Sequence, residues 1–206
     1  MAARAVSRWM VGLAGAVALL GALPAGAQLY SDGYKFLKAV KDKDGAAVTE
    51  MIEEPGSTVV NSRDLTSGES AMHIVTQRRD ASWIRFLAGR GANPNIRDRH
   101  GVAPLMLATR LGFNEGVEAL IAAGAMVDVA NEAGETPLIS AVHRRDTGLL
   151  RLLLEAGADP DRKDNSGRSA RAYAELAGSG LADMIDRYAE PPGDRAGSGE
   201  TYGPKI

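Results

Sequence analysis

Several things are missing from this chain of 206 residues. It has no cysteine, which excludes disulfides, thiolate zinc sites, cysteine nucleophiles and a lipid-modified Cys. Aromatic residues reach only 5%, so no large aromatic core is expected. Neither sign of charge dominates: 24 Lys and Arg stand against 26 Asp and Glu, a formal net charge of −2. That balance gives no global argument for nucleic acid or an anionic membrane surface as partner. Gly-x-Ser-x-Gly, phosphate-loop and His-Glu-x-x-His spacings are also lacking, so no enzyme is expected. What remains, 45% hydrophobic and 24% charged, is the composition of an ordinary globular protein of one or two domains.

The first residues differ from the rest. Arg4 and Arg8 lie in a stretch without acids, an apolar run "VGLAGAVALLGAL" follows, and "PAGA" ends in Ala25-Gly26-Ala27. This three-part layout predicts a secretory signal peptide over 1–27, cleaved after Ala27. An uncleaved anchor is the alternative, although the run is short for a span of about 20 residues. Cleavage would leave 22 bases against 26 acids, a net charge of −4. The expected location is the periplasm or outside the cell, with no stable membrane insertion after cleavage.

The rest of the chain is periodic. Gly68, Gly101, Gly134 and Gly167 lie 33 residues apart, as do Gly91, Gly124 and Gly157, each followed by Ala. Asp98, Asn131 and Asp164 form another column, Ala108, Ala141 and Ala174 a further one, and Leu87, Leu120 and Leu153 one more. Self-similarity at a fixed period marks stacked supersecondary units that cannot bury their apolar faces alone. The segments "GESAMHIV", "GVAPLMLA" and "GETPLISA", and the later "FLAGRGANPN", "ALIAAGAMVD" and "LLLEAGADPD", resemble the ankyrin-repeat family. The resemblance is strong over 65–164 and weaker on both sides.

It implies an all-α solenoid of helix-turn-helix units with β-turn tips. Five units are expected, at 33–64, 65–98, 99–131, 132–164 and 165–189, within a domain spanning 28–189. The first and last are degenerate caps; in the last, Arg171 replaces the buried Leu of the column. The Pro-, Gly- and Ser-rich segment 190–206 is expected to be a flexible tail. Pro104 and Pro137 should open first helices, Thr136 should cap one, and Gly91, Gly124 and Gly157 should end second helices. Leu105, Leu138, Leu120, Leu150 and Leu153 should be core.

The resemblance also implies protein–protein interaction without catalysis or cofactor. It places partner contacts on the β-turn tips and the exposed ends of the first helices, which form the concave face. Carried over by position, the candidates are Arg99, His100, Glu132, Glu135 and Arg168 at tips, with Arg78, Arg110, His143 and Arg144 on helices. Arg78, Arg110 and Arg144 read as a basic stripe across three units. It is either a solvated face or a surface for acidic or phosphate-bearing groups. His73 holds the position of the family's loop-tying histidine. The three histidines occupy three different repeat positions, so no shared metal site is expected. The leading reading is an exported monomeric adaptor that binds a protein through its concave face. Alternatives are an inhibitor or immunity-type partner of a periplasmic enzyme or toxin, a host-directed effector, and a His-dependent metal-binding protein or enzyme.

Overall fold

A computed structural model describes residues 31–178 and 180–189. The expected leader, 1–27, and the expected tail, 190–206, lie outside them. The described residues form ten α-helices: α1 (Asp32–Asp42), α2 (Gly45–Glu53), α3 (Ala71–Gln77), α4 (Ala81–Ala88), α5 (Pro104–Leu111), α6 (Asn114–Ala122), α7 (Pro137–Arg144), α8 (Thr147–Glu155), α9 (Ala170–Ala177) and α10 (Leu181–Ala189). A 3-10 turn, Val59–Asn61, follows α2. Each odd-numbered helix packs on the even-numbered one after it. The odd helices α1, α3, α5, α7 and α9 also pack in sequence, and α4, α6, α8 and α10 form a second row. The architecture is an all-α repeat solenoid.

Local chemistry fixes each unit. Pro104 and Pro137 are the first residues of α5 and α7, where a missing N–H costs nothing. The Thr136 hydroxyl accepts the Ile139 amide at 3.2 Å. Second helices begin on Asp44, Asp80 and Asp146, whose carboxylates accept the amides of Ala47, Trp83 and Leu149 at 3.0–3.1 Å. In α6 the same position is Phe113, which buries its ring instead. Gly91, Gly124 and Gly157 adopt left-handed backbone after the second helices.

A second left-handed column follows the first helices: Lys43, Arg79, Gly112, Arg145 and Gly178, with φ from 53° to 60°. Two are glycines and three carry basic side chains. That backbone costs a non-glycine residue roughly 1–2 kcal/mol.

Leu105, Leu138, Leu120, Leu150 and Leu153 are completely buried. Ala108, Ala141 and Ala174, one on each of α5, α7 and α9, are buried. At the C-terminal end Arg171 is half-buried and clamped between carboxylates. It reaches Asp161 at 2.9 Å and also pairs with Asp186. The expected polar end of the stack is thus a charge-paired plug.

Candidate partner-binding face

Each β-turn tip is built by one side chain. Asp98 accepts the amides of His100 and Val102 at 2.8 and 2.9 Å. Asn131 accepts those of Ala133 and Glu135 at 2.9 and 3.0 Å. Asp164 accepts those of Ser166 and Arg168 at 2.8 and 3.1 Å. The first tip, around Asp64, uses the same device on Thr66 and Ser67. These are local side-chain-to-backbone turns. They hold the tip backbone without using the side chains of His100, Glu132 or Arg168. The hydroxyls of Ser166 and Tyr173 and the backbone amides together hold the Asp164 carboxyl down to about 2.

Neighbouring tips are tied together. Buried His73 accepts the Ser70 amide on Nδ1 at 3.1 Å, and its Nε2 donates to the Val102 carbonyl of the next unit at 2.9 Å. Burial pushes its imidazole below the usual range. Arg99 donates its amide to the Ser67 carbonyl at 2.9 Å and its guanidinium to the Leu65 carbonyl. Asn165 reaches the carbonyls of Ala133 and Glu132 at 3.0 and 2.9 Å. At Gly68 a Cβ would lie 2.9 Å from the Arg99 nitrogen, so the tips approach too closely for any side chain there.

The candidate residues separate into three environments. His100, Glu132 and Arg168 are exposed at the tips. Arg110, Glu135 and His143 come together: Glu135 lies 3.8 Å from Arg110 and 3.6 Å from His143. The cluster continues through the edge of His143 on Tyr173, 4.6 Å between centroids, and Tyr173 donates to Asp164 at 2.7 Å. Arg168 lies over the same Tyr173 ring at 5.8 Å.

The third group folds back on the scaffold. Arg78 donates to the Val40 carbonyl at 2.7 Å, stands 3.4 Å from Asp80 and 5.1 Å over Trp83, and leaves only 18% of its side chain exposed. It is the member of the basic stripe that turns inward. Arg144 donates to the Arg110 carbonyl at 3.0 Å. The stripe is also not one register column. Arg78 and Arg144 are equivalent positions, whereas Arg110 sits one residue earlier, equivalent to Gln77 and His143.

Sequence reasoning missed several residues. Arg63 donates to the Gly68 and Arg97 carbonyls at 3.1 and 2.6 Å, and Arg97 to those of Gly101 and Ala130. Tyr173 joins two units. Asn61 and Asn95 each accept an amide and donate to a carbonyl in the next unit: Asn93 and Gly91 for the first, Met126 and Gly124 for the second. Asp128, next in that column, accepts only the Asp159 amide. The spacing was a readable signal. Arg63 to Arg97 and Asn61 to Asn95 are both 34 residues, one off the main period.

Among the described residues no helix is long and apolar enough to cross a membrane. Two family models described as ankyrin repeats match residues 36–131 and 120–174. The chain is 38% identical over 91 residues to a putative ankyrin repeat-containing protein of Treponema pallidum, covering 44% of this chain and 30% of that protein. It is 30% identical over 129 residues to human transient receptor potential cation channel subfamily A member 1, covering 61% of this chain and 11% of the channel. It is also 30% identical over 138 residues to zebrafish neurogenic locus notch homolog protein 1, covering 66% and 6% respectively. The chain thus spans less than a third of each of these relatives. With the 33-residue period, the stacked helix pairs and the tied β-turn tips, these matches place the chain in the ankyrin-repeat family.

Proposed function

We propose that the protein is an exported adaptor that holds a protein partner on its tips and first-helix ends, without chemistry of its own. The carrying observation is the construction of the tips. Asp98, Asn131 and Asp164 satisfy the turn amides internally, so His100, Glu132 and Arg168 project from a fixed backbone and remain exposed. A pre-ordered surface loses little conformational entropy on association. Ankyrin repeats generally serve as interaction modules, which supports a protein as ligand. The three-part layout of residues 1–27 supports export.

Incubating the immobilised protein with periplasmic extract tests the face. A triple variant, H100A with E132A and R168A, should lose the captured partner while keeping its thermal midpoint. Equal capture by the variant would remove this face from the proposal. Export is checked separately by sequencing the N-terminus of protein recovered from the producing cells. Gln28 is the expected first residue, and Met1 would contradict cleavage.

A further inference from the structure

Two guanidinium groups from different units converge on the C-terminus of α5. Arg79, from the unit before, donates to the Leu111 carbonyl. Arg144, from the unit after, donates to the adjacent Arg110 carbonyl at 3.0 Å. Beside Arg144 is Gly112, where an added Cβ would lie 3.2 Å from the Arg144 Cζ. Its missing side chain leaves the room in which the Arg144 guanidinium sits.

These two guanidiniums are not ion-paired. Among the described residues neither Arg79 nor Arg144 has a carboxylate within ion-pair distance. Their partners are neutral carbonyls at a helix end worth roughly half a negative charge, against two full positive ones. Arg145 stands beside Arg144 in the left-handed column, exposed. Arg79 and Arg145 hold basic side chains where Gly112 and Gly178 would sit without strain. Arg110 adds a fourth guanidinium on the same helix end, with Glu135 at 3.8 Å as its counter-charge. The chain as a whole carries a net charge of −2, so the four arginines do not follow from its composition, and the adjacent acids Asp80 and Asp146 are engaged as caps of α4 and α8.

We infer that the basic patch at the C-terminus of α5, built on Arg79 and Arg144 and flanked by Arg110 and Arg145, is the anchor for an Asp- and Glu-rich segment of the protein partner. This rests on the adaptor reading and makes it specific. The carbonyl bonds hold the two guanidiniums in place before the ligand arrives, and each keeps further N–H donors for a carboxylate. An extended acidic segment can put successive carboxylates on cations of successive units, which one phosphate or one carboxylate cannot do.

The test uses the purified protein and a fluorescein-labelled decaglutamate peptide, read by anisotropy at low salt. The double variant R79Q with R144Q keeps donors for both carbonyls and removes the charge. It should lose at least about tenfold in affinity, while R151Q on α8 should leave affinity unchanged. The pair R79K with R144K should retain most of the binding, which separates charge from fold. Equal affinity for wild type and R79Q/R144Q overturns the anchor, as does tighter binding of a single-stranded oligonucleotide than of the peptide. Failure of the wider reading looks different: the tip variant would then keep the natural partner. If the tip variant loses the partner while decaglutamate fails to compete for it, the anchor falls and the adaptor reading stands.

Discussion

His73 shows how much one side chain can decide. It is buried, accepts an amide of its own unit and donates to the carbonyl of Val102. Its replacement by Ala should cost about 1–3 kcal/mol, because buried polar groups lose their partner. Burial holds the folded imidazole below the ordinary value of 6.5, so its stability contribution is fully present above that pH. Below 6.5 the unfolded chain takes up a proton that the folded chain resists, and the contribution is lost as the pH falls toward the folded value. Thermal midpoints between pH 7.5 and 5.5 should therefore decline for the wild type and less steeply for H73Q; parallel curves would refute the assignment. Asp164 acts lower on the scale. Its contribution is present above about pH 4 and fades as the pH approaches about 2. G112A, on a left-handed backbone and against the Arg144 guanidinium, should destabilise by about 1–2 kcal/mol in urea unfolding.

Elements are held in the stack by packing inside and by a polar seam outside. Leu153 on α8 is fully buried, and L153A should cost about 2–5 kcal/mol through lost burial and the cavity left behind. The seam offers a finer test. Asn61 and Asn95 each donate and accept across a unit boundary, whereas Asp128 only accepts. D128N would add an amide donor for the Gly157 carbonyl and should stabilise by about 0.5–1.5 kcal/mol. A lowered midpoint in denaturant would show that the seam is not additive in this way. The Leu columns and the helix starts at Pro104 and Pro137 were legible in the chain because a period of 33 repeats them. The seam was legible only in part: Asn61 and Arg63 recur at 34 residues, one off the main period, but their partners are backbone atoms, which a sequence does not distinguish.

For the whole molecule, stability is approximately a sum of unit and neighbour terms. A weakened boundary should release the units beyond it first. In L153A, hydrogen exchange should accelerate most in α9 and α10, which pack on α7 and α8, and least in α3 and α4. Uniform acceleration would mean that the array unfolds as one body. The Arg171 plug should oppose this fraying, since it ties α9 to the Asp161 loop and to α10.

The sequence by itself determined the period, the number of helix pairs, the core columns and the turn residues, because each depends on local propensity or on side chains repeated at fixed spacing. It also identified the candidate tips by position. Only the tertiary structure decided which basic residues face outward. Arg78 turns in to Val40, Arg110 and His143 meet over Glu135, and Arg79 and Arg144 approach one helix end from opposite sides. A guanidinium reaches several ångströms from its Cα, so its destination depends on which carbonyl the stacking of the next unit brings within reach.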